Sequence, residues 1–316
     1  MIDFKYLRLG ISGMANSHKA SILAGHLGAA LVAGYFFGEE HGDLDDAVYR
    51  GIEKELDRIL AGEEAIWFNA KKAGIAIADL FQPLPKGRSE KERIRVIADA
   101  LERNIDKPRE SGHNVIFASI AIRALTDHPE FATEAVVDGI RKLIAGFDRA
   151  NPGRGYYGQE QGWLRGDKVK LPKNQKLPAY NDEQTLAEVV ADELINHASK
   201  QRRGFGGLWH LINHAAGILE LSRFGFKEIA RQAIPSHRHH LALWRTLPDV
   251  EKEFGAVVPA RHDPRDPAYW KDMLKRDQAR LTHRIKTLYG FWTVARYLRS
   301  AAKKKQAEKA LLYLMA

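Results

Sequence analysis

The chain has no cysteine, which removes thiol nucleophiles, thiolate metal ligands and disulfides from consideration at once. It also lacks a phosphate-binding P-loop, a GxGxxG turn after a strand, a GxSxG nucleophile elbow and an EF-hand loop, so none of those chemistries has a local signature. Apolar and polar residues seldom alternate with period two, which argues against a β fold. Met1 to Gly13 carries Asp3, Lys5 and Arg8 and has no uninterrupted apolar core of the secretory kind, so a cytoplasmic location is expected. Long uncharged runs are equally scarce. Only Ala20 to Gly38 qualifies, and its four glycines and five alanines fit a buried core helix better than a membrane span.

What is present is an ordinary globular composition, 45% hydrophobic and 28% charged over 316 residues, read here as a single helical-repeat domain, 1–316. The net charge of +9 is uneven: Leu281 to Ala316 holds eight Lys or Arg against one Glu, whereas Glu39 to Glu64 holds ten acids against three bases. Lys303, Lys304 and Lys305 read as the solvated side of a terminal helix, so a nucleic-acid partner is not expected. The composition leaves the oligomeric state open.

Helical periodicity runs through almost every legible segment, as in Val48, Ile52, Leu56 and Ile59. The helices come in pairs, an apolar one followed by an amphipathic one. Ala20 to Phe37 precedes Asp43 to Ala61, Asn114 to Leu125 precedes Ala132 to Phe147, Leu208 to Arg223 precedes Lys227 onward, and His283 to Arg299 precedes Ser300 to the end. A fifth pair is read at Ala65 to Phe81 with Ser89 to Arg103. A helix from Glu183 to Lys200 has no visible inner partner. In register, Gly25-His26 is followed fifteen residues on by His41, and Gly112-His113 fifteen residues on by His128. His210 and His283 fall at the matching place in two further pairs. Repeated pairs with small residues crowding the apolar helices predict an all-α fold, an α/α toroid or incomplete barrel, or a curved helical array.

Such a ring would set His26, His113, His210 and His283 at equivalent heights around a cavity, where imidazoles serve acid and base chemistry near neutral pH or bind a divalent metal such as zinc. Glu110 is the chosen acid partner among Glu63, Glu64, Asp106, Glu110 and Asp277. His210 and His214, four apart, share one helical face, without the Glu of a zincin motif. Fifteen helical residues carry His41 and His128 about 22 Å away, into turns. His237, His239 and His240 read as a solvated helix start after Pro235.

Two stretches lose periodicity, 148–181 and 247–270. The first is expected to form a lid over the cavity, presenting Arg154, Tyr156, Tyr157 and Trp163 to a substrate, with a hairpin over Trp163 to Leu171 turning at Gly166-Asp167. The second holds Arg261, His262, Asp263, Arg265 and Asp266, with Asp-Pro repeated at Asp263-Pro264 and Asp266-Pro267, a grouping that suits an anion, a proton relay or a rigid turn. The expected function is an enzyme, a histidine-dependent hydrolase, lyase or isomerase acting on a small polar organic molecule. The alternative is a non-catalytic repeat protein that binds a ligand, peptide or nucleic acid.

Overall fold

A computed structural model describes residues 1–271 and 280–316. Among them the chain is mostly helical, with one two-stranded hairpin. It divides into two compact units, each assembled from three stretches of sequence.

The first unit comprises 1–101, 117–146 and 262–289. Helix α1, Phe4–Asn16, is capped by the Asp3 carboxylate on the Lys5 N–H. It lies on α2, Gly25–Glu40. The two backbones approach closely because glycines line the contact: a Cβ on Gly28 would stand 2.4 Å from the Met14 nitrogen. Helix α2 has no wet face because α1 and α3, Asp46–Leu60, both pack on it. Leu27, Leu31 and Val32 are fully buried there, each worth about 1.5–3 kcal/mol of burial. With the turn before it, α2 forms an apolar helix of 19 residues, Ile22–Glu40, long enough to cross a membrane but 83% buried inside the fold. Helix α3 is amphipathic, with Val48, Ile52, Leu56 and Ile59 inward. Helix α4, Arg95–Glu102, most of α5, His113–Asp127, and α6, Glu134–Ala145, complete this part.

The second unit comprises 102–116, 147–261 and 290–316. Helix α7, Glu183–His197, starts in a reciprocal capping box between Asp182 and Thr185. It packs on α8, Gly207–Arg223, which in turn packs on α9, Lys227–Arg245. Helix α10, Arg280–Ala295, begins in the first unit and ends in the second, whereas α11, Ala301–Met315, lies on α7.

Three expectations need correction. Ala65 to Phe81 is not a helix but three short turns, Ala65–Trp67, Ala70–Ala73 and Ile77–Leu80. The Asn69 side chain caps the second of them and Gly74 ends it at φ +68°, so the apolar content never becomes a continuous stripe. The hairpin is not Trp163 to Leu171. Strand β1, Arg154–Tyr156, pairs antiparallel with β2, Trp163–Arg165, and left-handed Gly158 and Gly162 shape the connection. Pro235 does not start a helix; α9 runs through it. Ile229, Ala233, Ile234, Leu241 and Trp244 keep helical spacing on its buried side, and His237 and His240 fall on that same side, fully buried.

Candidate functional site

In the first unit the His26 and His283 rings lie 4.9 Å apart, each in the first turn of a long helix. His26 is stacked face to face on Trp67 at 3.6 Å and meets Phe117 edge-on at 5.3 Å. One turn beyond His283, Lys286 turns its Nζ onto His26 Nδ1 in a hydrogen bond. The lysine is 2% exposed. Among the described residues, no carboxylate forms an ion pair with it. Burial pulls its ammonium down to about 7, only partly opposed by the charge of Glu64. Glu64 is fully buried, and its carboxylate accepts the Leu281 and Thr282 N–H groups at 2.6 and 3.0 Å. It therefore holds the start of α10, the helix that presents His283 and Lys286. His26 and His283 each bring a ring nitrogen within 4.8 Å of the other's, a spacing at which the pair could take part in holding a metal ion.

In the second unit the His113 and His210 rings meet edge to face at 4.5 Å. His210 Nδ1 lies 3.0 Å from the Ser111 carbonyl, and His113 Nδ1 bonds the Glu110 carbonyl. A carbonyl oxygen only accepts, so in the neutral rings the proton sits on Nδ1 and Nε2 keeps its lone pair. The loops beneath are strained. Glu110, Ser111 and Gly112 are all left-handed, with φ of +43°, +63° and +87°, and so are Phe205, Gly206 and Gly207 at +48°, +67° and +61°. Such conformations cost about 1–3 kcal/mol at a residue with a side chain and concentrate at functional sites. Neighbouring chain holds them in place: the Glu110 N–H donates to the Asn151 carbonyl and the Phe205 N–H to the Arg154 carbonyl, both at 2.7 Å. Gly206 is sterically required, since a Cβ there would stand 2.0 Å from His210 Cγ.

Glu110, the chosen carboxylate, accepts a 2.8 Å bond from Asn151 Nδ2. Burial pushes its carboxyl up, and the nearby charges of Arg165 and Arg154 oppose that rise. Arg154 and Arg165 face each other across the hairpin, and Tyr156 faces Trp163. Tyr156 donates to Glu253 at 2.7 Å. Tyr157 bonds Thr246, whose hydroxyl donates to the Leu243 carbonyl. Trp163 is 51% exposed. Among the other carboxylates considered, Glu63 pairs with Arg58 and Asp106 with Arg109, both at 2.7 Å. Asp277 lies outside the described residues. Asp263 pairs with Arg265 at 2.8 Å, and both line an open cleft of about 430 Å³ with His41, Asp43 and Asp266.

Behind His210 lies a cluster that the sequence did not disclose. His214 is packed with His237 and His240, ring centroids 5.1 and 5.5 Å away. His240 Nε2 donates to the Phe205 carbonyl at 2.8 Å. The neutral ring then accepts at Nδ1, so it takes a proton from His214 Nδ1, 3.3 Å away. His237 Nε2 donates to the Leu211 carbonyl, leaving Nδ1 to accept from the Tyr180 hydroxyl. Burial drives His237 down to about 3 and His240 down to about 4, and holds His214 well below the usual range.

The structure thus brings His26 to His283 in one unit, and His113 to His210 beside Glu110 in the other. Sequence reasoning missed Lys286, Trp67, His237 and His240. The sequence carries no signal for Lys286, whose burial, with that of every residue from Leu281 to Gly290, shows only in the fold. No protein-family model, curated protein or solved structure matches this chain.

Proposed function

We propose that the protein is an enzyme that acts on a small polar organic molecule by histidine acid/base chemistry. His26 and His283 in the first unit, and His113 and His210 in the second, take the acid, base and orienting roles, with Glu110 as carboxylate partner. Arg154, Tyr156, Tyr157, Trp163 and His214 belong to the proposal as substrate contacts, as does the closure of the helix pairs into an α/α toroid. Hydrolysis, elimination and isomerisation are the reaction classes it covers. The supporting observation is the hydrogen bond between His26 and the buried amine of Lys286, which joins a base with a proton donor in a site walled by aromatic rings.

The test is turnover of a panel of small esters, hydroxy acids and hydroxy ketones by wild type and by His26→Gln, His283→Gln, His113→Gln and His210→Gln. General acid/base catalysis predicts losses of about 10²–10⁴-fold in variants that keep wild-type circular dichroism. Unchanged turnover in all four, or loss of folding without selective loss of rate, would instead make these rings architectural. A second reading is metal-assisted chemistry with zinc held by histidine, favoured by the nearness of the His26 and His283 nitrogens. Calorimetric titration of the protein with zinc, with His283→Gln as comparison, separates the two.

A further inference from the structure

A buried lysine kept for architecture normally faces a carboxylate, because an ammonium taken out of water is strongly destabilising without one. Lys286 has no such partner among the described residues. The acid whose charge reaches it, Glu64, spends both oxygens on the backbone N–H groups of Leu281 and Thr282. The Lys286 amine instead meets His26 Nδ1, lies 5.6 Å from the Phe117 ring centre, and stands one turn from His283. A neutral amine suits this apolar enclosure and an ammonium does not. A neutral amine beside an imidazole is a nucleophile beside its base.

We propose that Lys286 captures a small uncharged aldehyde or ketone as a covalent imine, with His26 taking the amine proton and His283 assisting departure of water. This names a substrate class for the first unit and rests on reading it as an acid/base centre. In the first step the Nζ lone pair forms the bond to the carbonyl carbon, the C=O π pair moves to oxygen, and the proton released from nitrogen passes to His26 Nδ1. The oxygen then takes that proton from His26, giving a neutral carbinolamine. In the second step the hydroxyl leaves with a proton from His283 as water, the nitrogen lone pair closes the C=N bond, and the remaining N–H proton returns to the histidine pair. The balance is amine plus carbonyl to imine plus water, with no oxidant or reductant. The charge of Glu64 and the aromatic walls favour an uncharged carbonyl over an oxo acid. Trp67 is the partly exposed member of the cluster, next to Ile66 at 61% exposure, and marks the side of entry.

The experiment is reductive trapping on the full chain after EDTA treatment, with glycolaldehyde and cyanoborohydride at pH 7, read by peptide mass spectrometry. Lys286 is buried among aromatic rings with its amine on His26 Nδ1, whereas surface lysines are protonated at that pH, so the first hydroxyethyl group is expected on Lys286. Lys286→Met should lose that label and melt at a higher temperature than wild type, because a buried amine with no carboxylate ion pair among the described residues is replaced by an apolar chain of similar length. His26→Gln should slow labelling of Lys286 without spreading it elsewhere. Label distributed over surface lysines with no preference for Lys286 overturns the proposal, and so does a lower melting temperature for Lys286→Met, which would make the lysine structural. Because trapping reads the amine and not turnover, absence of label together with rate losses in the histidine variants removes the imine and leaves the acid/base reading standing. Label on Lys286 with no rate effect in those variants does the reverse.

Discussion

Acidification from pH 7 to pH 5 will weaken this protein through two histidines of its second unit. His237 and His240 are fully buried, each is fixed by a bond to a backbone carbonyl, and burial lowers them to about 3 and about 4. An unfolded chain binds a proton on each ring once the pH falls below about 6.5, whereas the folded chain does not until its own lower value is reached. The unfolded state therefore holds more protons in that window, and stability drops as the pH drops. From pH 7 to 5 each ring contributes a loss of ~2 kcal/mol, ~4 kcal/mol for the pair, a large share of the 5–15 kcal/mol typical of a folded protein. Urea unfolding followed by circular dichroism at pH 7, 6 and 5 measures it. His237→Gln retains an N–H able to reach the Leu211 carbonyl but has no proton to gain. It should start less stable and lose ~2 kcal/mol less than wild type over the same range. Identical pH dependence in wild type and variant would refute the reasoning, since the ring would then titrate alike in both states.

Three other outcomes follow from particular contacts. Gly206→Ala forces a Cβ into His210 at a left-handed position and should lower stability by ~2 kcal/mol or more, read as a fall in the unfolding midpoint. Glu64→Ala strips two hydrogen bonds from the start of α10; a loss of ~2 kcal/mol and faster hydrogen exchange at Leu281 and Thr282 are expected. Trp163→Ala removes a ring already 51% exposed, so stability should stay within ~0.5 kcal/mol and any effect on ligand binding by calorimetry would reflect contact with the ligand.

The helices were legible because burial leaves a periodic trace. Val48, Ile52, Leu56 and Ile59 announced one wet and one dry face, and the run from Gly25 onward announced a helix with none. Breaks were harder to read. Pro235 reads as a break with a new helix starting after it, yet the apolar spacing on either side carries α9 through it, so tertiary packing outweighs the missing N–H. In Ala65 to Phe81 the reverse holds: helix-friendly composition yields to Asn69 and Gly74. The sequence sets His26, His113, His210 and His283 near helix starts around one cavity; that His26 meets His283 and His113 meets His210 is read only from the fold. The importance of Lys286 did not follow, because what marks it is burial with no carboxylate ion pair among the described residues, and a sequence records neither. Likewise His237 and His240 showed their charge neighbours in the sequence, Arg238 above all, but not the carbonyls of Leu211 and Phe205 that hold them neutral.

The cap on α10 has a consequence for synthesis. Glu64 and Leu281 are 217 residues apart in the chain, so the helix that carries His283 and Lys286 takes its first hydrogen bonds from a carboxylate made long before it. On the ribosome that carboxylate emerges early and waits without its partner, and closing so long a loop slows its assembly. Lys286 is therefore fixed in place only after Leu281 and Thr282 have been made and have reached the Glu64 carboxylate.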